Sequence, residues 1–387
     1  MPFTGKATYS AGVDLPEIIE DVSDVVGIIS PFETPLLDHL GDPKRAATST
    51  IHEWMEDELF PNSDTLNQAS FTPNAQDATN LTVTNGSRFR VGDQVRPGSA
   101  REVMLVTAVS GNTVTVIRRY GSTPASTLTN GIKLNILGNA ALEGDDRPEV
   151  RATNRTRKRN WTQIFTTAVE VSGSMQAVRQ HGISDELEFQ KTERLRELVR
   201  DLENAVINGA AAATNQQGTS TVRRTMNGII PTVVTNNFTP NAGGIPAGGG
   251  GGTDLNEAVL NAALRMVWEN AAARIDTIIV GGALKRRINA FATALRQYTP
   301  ADERFRDLVS SYESDFGLCR VLLSRWVPSD TLVLVDSTRL EVLPLSGRSF
   351  HYKPLAATGD RENGQLIGEY TLEMRNEAAH AVIRGLT

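Results

Sequence analysis

Few residues in this chain have types and spacings that could do chemistry. The histidines His39, His52, His181, His351 and His380 lie far apart. No pair has the i, i+4 spacing that puts two imidazoles on one helix face for a metal. The single cysteine, Cys319, excludes an intramolecular disulfide, and with no clustered ligands beside it a structural zinc site is not expected. It sits in the apolar run "GLCRVLL" and reads as a buried, inert thiol. No G-x-S-x-G elbow occurs. "IIVGGALKRRI" reads as a strand ending at Gly281-Gly282, then a helix with Lys285, Arg286 and Arg287 in its first turns. A phosphate could rest on that helix N-terminus. Without G-x-G-x-x-G or G-K-[ST], a tight strand-to-helix turn is the better reading. The Gly248–Gly252 tract has no Lys-Ser/Thr after it and reads as a linker. Asp145-Asp146 reads as a solvated turn, with a cation site as the alternative. The expectation is therefore no catalytic residue, no metal site and no cofactor.

One cluster stands out by charge. "RATNRTRKRN" carries Arg151, Arg155, Arg157, Lys158 and Arg159, with Arg147 just upstream and only Glu149 opposing. Like charges on a short extended stretch repel unless something negative lies near. Polynucleotide is one such partner and an acidic surface on another subunit is the other; a solvated leg of a hairpin is the plain alternative. In a strand, Arg155, Arg157 and Arg159 point to one face and Lys158 to the other.

The elements that must hold these residues divide at composition shifts. Residues 1–45 hold short apolar clusters broken by Pro16, Pro31, Pro35 and Pro43, the pattern of an extended arm with one or two short helices. "STIHEWMEDEL" suggests a strand. Residues 77–140 contain four or five short strands with tight turns: "NLTVTNGSRFRVGDQVR", the hairpin "EVMLVTAVSGNTVTVIRRYG" and "GIKLNILG". They predict a small barrel or sandwich. Polar sequence flanks this module on both sides, so it reads as inserted at the tip of a long hairpin whose returning leg becomes a strand from Trp161 to Val171.

A long helix follows. Ser184 or Asp185 can cap it, and Leu187, Leu195, Leu198, Leu202 and Val206 form one apolar stripe. It is expected over about 184–213, roughly 45 Å at 1.5 Å per residue. Its surface is rich in Arg and Glu, with Glu193–Arg196 and Glu197–Arg200 spaced for pairing. Glu186, Glu188, Glu193 and Glu197 make it a candidate acidic counterpart for the basic run. After a Gly-rich linker, Asp254 with Glu257 reads as a capping box. Leu255, Val259, Ala262, Ala263, Met266 and Val267 mark a helix, "DTIIVGG" a buried strand, and Leu284, Ile288, Phe291 and Leu295 a second helix. "GLCRVLLSRWVPSDTLVLVDSTRLEVLPL" and "QLIGEYTLEMRNEAAHAVIRGL" supply the remaining strands of a mixed α/β domain.

Composition narrows the function. The chain has 387 residues, enough for two or three domains, and a net charge of −6, which argues against gripping nucleic acid over the whole surface. No run of about 18 apolar residues predicts a membrane span. No signal peptide is expected at the N-terminus, and the single cysteine fits a reducing compartment. An arm, a projecting hairpin and a strut helix cannot bury themselves, and the expectation is a polymerising structural protein.

The segment Trp161–Ala213, "WTQIFTTAVEVSGSMQAVRQHGISDELEFQKTERLRELVRDLENAVINGAAA", followed by "RRTMNGII", resembles the major capsid proteins of tailed bacteriophages. The hairpin "EVMLVTAVSGNTVTVIRRYG" is similar to the β domain that one such family inserts in its extended loop, and "DLPEIIEDVSDVVGIISPFETPLLDHLG" resembles that family's arm. The resemblance runs along nearly the whole chain. It implies an α+β, Hong Kong 97-like capsid fold: an N-arm at 1–45, an extended loop at 46–172 with an inserted β-barrel or sandwich at 77–140, a peripheral domain at 173–253 with a spine helix at 184–213, and an axial α/β domain at 254–387 whose late strands return to the peripheral domain. It further implies hexamers and pentamers in an icosahedral or prolate head enclosing double-stranded DNA, bound weakly and non-specifically. The implied partners are other copies of the chain, a separate scaffolding protein, a portal and decoration proteins, with no membrane. Assembly would take place in the host bacterial cytoplasm. On this mapping Arg151, Arg155, Arg157, Lys158, Arg159, Glu193 and Glu197 are inter-subunit contact candidates. An encapsulin-like compartment shell and a nucleotide-binding α/β enzyme are the alternatives.

Overall fold

A computed structural model describes residues 31–144, 150–178, 183–271, 274–293, 311–356 and 359–387. Expectations placed on 1–30, Asp145-Asp146, Arg147, Glu149, His181 and Leu295 lie outside the described residues, as does the side chain of Phe291. The chain forms two compact units, Met55–Arg157 and Met1–Trp54 with Lys158–Thr387.

The unit 55–157 is built from β2 (Ser63–Thr65), β3 (Asn80–Thr82), β4 (Asp93–Pro97), β5 (Met104–Ser110), β6 (Thr113–Ile117) and β7 (Lys133–Asn139). They form one antiparallel sheet in the order β2-β7-β4-β5-β6-β3. A bridge between Leu66 and Val83 ties the two ends of that order together, so the sheet closes as a small barrel. Because β2 belongs to it, the sheet starts ahead of the expected boundary at residue 77. "SDT" is too short and too polar to signal a strand by alternation. Val95, Met104, Val106, Val114, Val116 and Leu134 point inward, as period-2 alternation requires. The β5–β6 turn needs a left-handed residue, and Gly111 supplies it at φ 57°.

The second unit contains two further sheets. β9 (Gln163–Ser172), β15 (Leu340–Pro344), β16 (His351–Pro354) and β17 (Arg361–Met374) form an antiparallel sheet centred on β17. β17 pairs with β9 along one edge and with β15 and β16 along the other. β10 (Asn237–Phe238), β11 (Thr277–Val280), β12 (Ser311–Ser314), β13 (Gly317–Leu323), β14 (Leu332–Val335) and β18 (Ala381–Ile383) form a mixed sheet in the order β10-β18-β14-β11-β13-β12. β11 and β14 are buried along their whole length, which is why, apart from Thr277, they read as continuous apolar runs rather than alternating ones. Two more strands, β1 (Ile51–Glu56) and β8 (Thr156–Trp161), form a two-stranded ribbon that crosses from one unit to the other.

Among the described residues six α-helices accompany the sheets: α1 (Pro35–Leu40), α2 (Gly173–Ala177), α3 (Glu186–Asn208), α4 (Ile229–Thr232), α5 (Glu257–Asn270) and α6 (Gly282–Thr293). α3 is shorter than expected because Gly209 caps it. It starts at Asp185, whose carboxylate accepts from the Leu187 and Glu188 N–H groups at 2.9 and 3.2 Å. Leu198, Leu202, Val206 and Ile207 face the core shared with β9 and β17. Leu195 does not: it is 37% exposed, about 60° around the helix from Leu198, whereas Leu187 in the first turn packs against that core. α5 is capped by Asn256, which accepts from the Val259 N–H at 2.9 Å, and not by the Asp254/Glu257 box. Asp254 instead receives Arg287 at 3.2 Å.

Candidate subunit-contact surface

The ribbon holds most of the basic run. The Thr162 N–H donates to the Thr50 carbonyl at 3.0 Å and the Thr156 hydroxyl to the Glu56 carbonyl at 3.4 Å, so β1 and β8 run antiparallel. Directly opposed residues share a face. Glu53 therefore stands across from Arg159, and Asp57 across from Arg155, whose Nε lies 3.6 Å from the carboxylate. Arg155, Arg157, Lys158 and Arg159 are all exposed. The Arg159 guanidinium lies 5.7 Å from the Trp161 ring centroid. The negative charge that the arginine face needs is thus supplied first by the acidic strand beside it. Sequence reasoning sought it only on a distant surface, because pairing between residues a hundred positions apart has no local signal.

Arg151 leaves the group. It donates to the Ser87 carbonyl at 2.7 Å and its guanidinium lies 4.0 Å from the Phe60 ring centroid, so it works inside the barrel unit. Burial, reinforced by Arg90, pulls its pKa below the ordinary arginine value.

The α3 carboxylates are likewise engaged at home. Glu186 accepts from Gln190 at 2.8 Å, Glu188 from Lys191 at 2.6 Å and Glu193 from Arg196 at 2.9 Å. Glu197 pairs with Arg194 and not with Arg200, which sits 3.5 Å from Asp201. Each of these helix-surface pairs contributes only about 0.3–0.5 kcal/mol, so a better-placed partner can replace any of them.

The roots of the ribbon are fixed by residues that sequence reasoning missed. On β17, Glu369, Thr371 and Glu373 alternate onto one face and are nearly fully buried, while Leu366, Leu372 and Met374 fill the other. Glu369 holds Arg224, Arg348 at 2.8 Å and the Thr162 hydroxyl at 2.6 Å. Thr371 donates to the Trp161 carbonyl at 3.0 Å. Glu373 receives Arg45 at 2.6 Å and His52 at 2.5 Å. Hydrogen bonds from His52 and Arg45 hold its carboxyl below the usual carboxylate range against the opposing effect of burial. Four residues of the arm and ribbon, Arg45, His52, Trp161 and Thr162, therefore converge on one polar strip. The available signal was the pattern Glu-x-Thr-x-Glu in a strand too apolar to be solvated: charges there must be partnered. A third carboxylate, Glu203 of α3, is fully buried and accepts from the Leu36 and Leu37 N–H groups at 3.3 and 3.1 Å, fastening α1 to α3. Burial pushes its pKa up to about 7.

The model of the family described as SU10 major capsid protein matches residues 2–387. The chain belongs to the SU10 major capsid protein family. The resemblance to phage major capsid proteins is thereby borne out. Among curated proteins, the major capsid protein of Pseudomonas phage PaMx41 is 33% identical over 103 residues, which is 27% of this chain and 25% of that relative. Two solved structures share the fold across almost the whole of both chains. One is from Mycobacterium phage Bobi, with TM-score 0.51, 13% identity and coverage of 95% of each chain. The other is the Cyanophage A-1(L) capsid asymmetric unit, with TM-score 0.52, 13% identity and coverage of 96% of this chain and 97% of that one.

The residues once weighed for chemistry take structural places in this capsid-family chain. The Lys285 side chain is buried; its ammonium points at the Val321 carbonyl, 3.4 Å away, and burial lowers its pKa. It turns into the sheet rather than toward a ligand at the α6 N-terminus. Cys319 is buried, donates to the Ile275 carbonyl at 3.3 Å and has its pKa pushed up to about 11 by burial, the state of an unreactive thiol. Among the described residues no group of three or more His, Cys, Asp or Glu side chains could hold a metal ion, and no helix is long and apolar enough to cross a membrane.

Proposed function

We propose that this chain is the structural subunit of a tailed-phage head. It self-assembles into hexamers and pentamers that close an icosahedral or prolate shell around double-stranded DNA. The observation that carries the reading is the family match across residues 2–387, joined to a two-stranded ribbon that leads into a separate barrel unit. A two-stranded ribbon alone is marginal in water and gains stability by lying on something else. In this reading the fold is of the Hong Kong 97 type. Residues 1–45 are the N-arm, and 46–172 the extended loop carrying the barrel as an insert. Residues 173–253 with α3 form the peripheral domain, and 254–387 the axial domain, with β15–β17 returning to pair with β9. The role is structural and not enzymatic.

The partners are other copies of the chain, a scaffolding protein, a portal and decoration proteins, with DNA contacted weakly. Assembly takes place in the host cytoplasm and the product resides in the virion. The ribbon's arginines and lysine (Arg155, Arg157, Lys158, Arg159) exchange their weak local pairs for carboxylates of a neighbouring copy, with Glu193 and Glu197 as candidates. Arg151, held inside the barrel unit, drops out of that set. Electron microscopy and sedimentation of the purified full-length protein, with and without a scaffolding partner, test the reading. Capsomers or closed shells are expected. A folded monomer under every such condition would refute it.

A further inference from the structure

Asparagine followed by glycine is chemically unstable, because a glycine leaves its backbone nitrogen open to the neighbouring side-chain amide. The glycine nitrogen attacks the asparagine Cγ, and a new N–Cγ bond closes a succinimide. The Cγ–Nδ2 bond breaks, and the glycine proton leaves with the departing ammonia. Water then opens either imide bond to give aspartate or isoaspartate. A glycine N–H held in a hydrogen bond cannot react in this way, so the rate follows how often that bond opens.

The chain contains five such pairs, Asn85-Gly86, Asn130-Gly131, Asn208-Gly209, Asn227-Gly228 and Asn363-Gly364, all among the described residues. Four of the glycines donate to backbone carbonyls. Gly131 reaches Leu66 at 2.8 Å, Gly209 reaches Ala205 at 2.9 Å and Gly228 reaches Gly209 at 2.7 Å. Gly364 stands opposite Val169 in the ladder of β17 with β9. The Gly173 N–H donates to the Asp360 carbonyl in that same register, so odd-numbered β9 residues form the hydrogen-bonded pairs and Gly364 donates to Val169.

Gly86 differs. Its N–H donates at 3.1 Å to a side chain, the Oδ1 of Asn112, which is exposed at the β5–β6 turn. An exposed side chain changes rotamer far faster than a strand, helix or turn opens, so this bond is the most easily lost of the five. Both members of the pair are nonetheless needed. A Cβ at Gly86 would run into the Gly111 carbonyl oxygen. Asn85 caps the short 3-10 turn Gly86–Arg88: its Oδ1 accepts from the Ser87 N–H at 3.1 Å and the Ser87 hydroxyl at 2.7 Å, and its own N–H donates to the Asp64 carboxylate at 2.7 Å. The local fold therefore carries the reactive pair with it.

We propose that Asn85 is a self-modification site, where the chain converts its own amide to aspartate or isoaspartate, and that the Asn112 side chain guards it. Conversion adds a carboxylate beside Asp64, which is buried and paired with Arg88 at 2.9 Å. Isoaspartate also lengthens the backbone by one carbon at the cap. Both products loosen the barrel unit. Asn208, Asn227 and Asn363 lie in the other unit, which stays intact.

The full-length protein is incubated in mildly alkaline buffer, digested, and the five asparagine peptides are followed by mass spectrometry with separation of the isoaspartyl form. Asn85 should convert first in the wild type. Asn112→Ala should speed conversion at Asn85 by about tenfold or more and leave the other four pairs at their wild-type rates. Asn112→Asp keeps an acceptor oxygen and should hold Asn85 near the wild-type rate. An unchanged rate at Asn85 in Asn112→Ala, or any other pair converting before Asn85 in the wild type, would overturn the assignment. Asn130, in the same unit, reports general loosening: if it accelerates as much as Asn85 in Asn112→Ala, the guarding role of Asn112 is refuted.

Discussion

Glu102→Gln should unfold the barrel unit selectively. Glu102 is fully buried, and its carboxylate accepts from Arg118 Nε and Nη2, both at 2.8 Å, from the Arg119 N–H at 3.1 Å, and from the Ser126 N–H and hydroxyl at 2.8 and 2.6 Å. Arg118 is itself 6% exposed and also reaches the Ala78 and Ser126 carbonyls. Burial alone would raise the Glu102 pKa, but the bonds from Arg118 and Ser126 outweigh it and hold the carboxyl down to about 2. Set against an ordinary value of 4.5, this corresponds to about 3 kcal/mol of stability. Because the folded value is depressed, that stability is present above pH 4.5 and is lost as pH falls toward 2. The Gln amide turns a donor toward the guanidinium and leaves a buried cation unpaired, at a cost of about 3–5 kcal/mol. For a unit of this size that is a drop of roughly 10–25 °C in melting temperature. Calorimetry of the full-length subunit should show one transition shifted and the other unmoved. All four tryptophans, Trp54, Trp161, Trp268 and Trp326, lie outside 55–157, so tryptophan fluorescence should follow only the unmoved transition. The wild-type barrel transition should fall between pH 4.5 and 2 more steeply than the variant's. A shift under about 5 °C, or identical acid slopes, would refute the buried-pair reasoning.

Leu198→Asp puts a charge into the α3 core position that is 4% exposed and should cost about 3 kcal/mol or more, read as lost soluble expression, whereas Leu195→Asp, at 37% exposure, should be tolerated. Gly368→Ala places a Cβ 2.4 Å from the Phe350 ring and should destabilise the β17 sheet by about 1–3 kcal/mol in thermal melts; an unchanged melt would mean that the ring swings aside freely. Arg155→Glu/Arg157→Glu/Arg159→Glu should leave subunit melting intact but prevent shell formation or make shells fall apart at lower salt, whereas normal empty shells with a packaging defect would point to DNA as the partner. Glu203 has a raised folded pKa, so its contribution to docking α1 is full below pH 4.5 and is lost as pH rises through about 7. Proteolysis near residues 31–40 should accordingly quicken from pH 6 to 8 in the wild type, and Glu203→Gln should abolish that pH dependence.

The sequence by itself determined what depends on near neighbours. Alternation in "NTVTVI" made a hairpin legible, and the apolar spacing Leu198, Leu202, Val206 made a long helix legible. Three consecutive apolar residues at 278–280 marked a strand buried on both faces. Absent motifs made an enzyme the lesser reading, and the family resemblance turned projecting elements into a shell subunit. Only the tertiary structure decided which distant groups meet. Glu373 joins Arg45 and His52 across more than 300 positions, Glu203 caps α1 from 166 positions away, and Arg155 finds Asp57 just past the end of β1. The reason is energetic. Local periodicity reflects burial of one face of one element, which each residue signals alone. A buried charge signals only that it needs a partner, and many partners would satisfy it, so the packing of the whole chain makes the choice. The same holds for the open edge of β9. Its residues read as an ordinary strand, and only the placed strands show that, among the described residues, its side away from β17 has no partner strand.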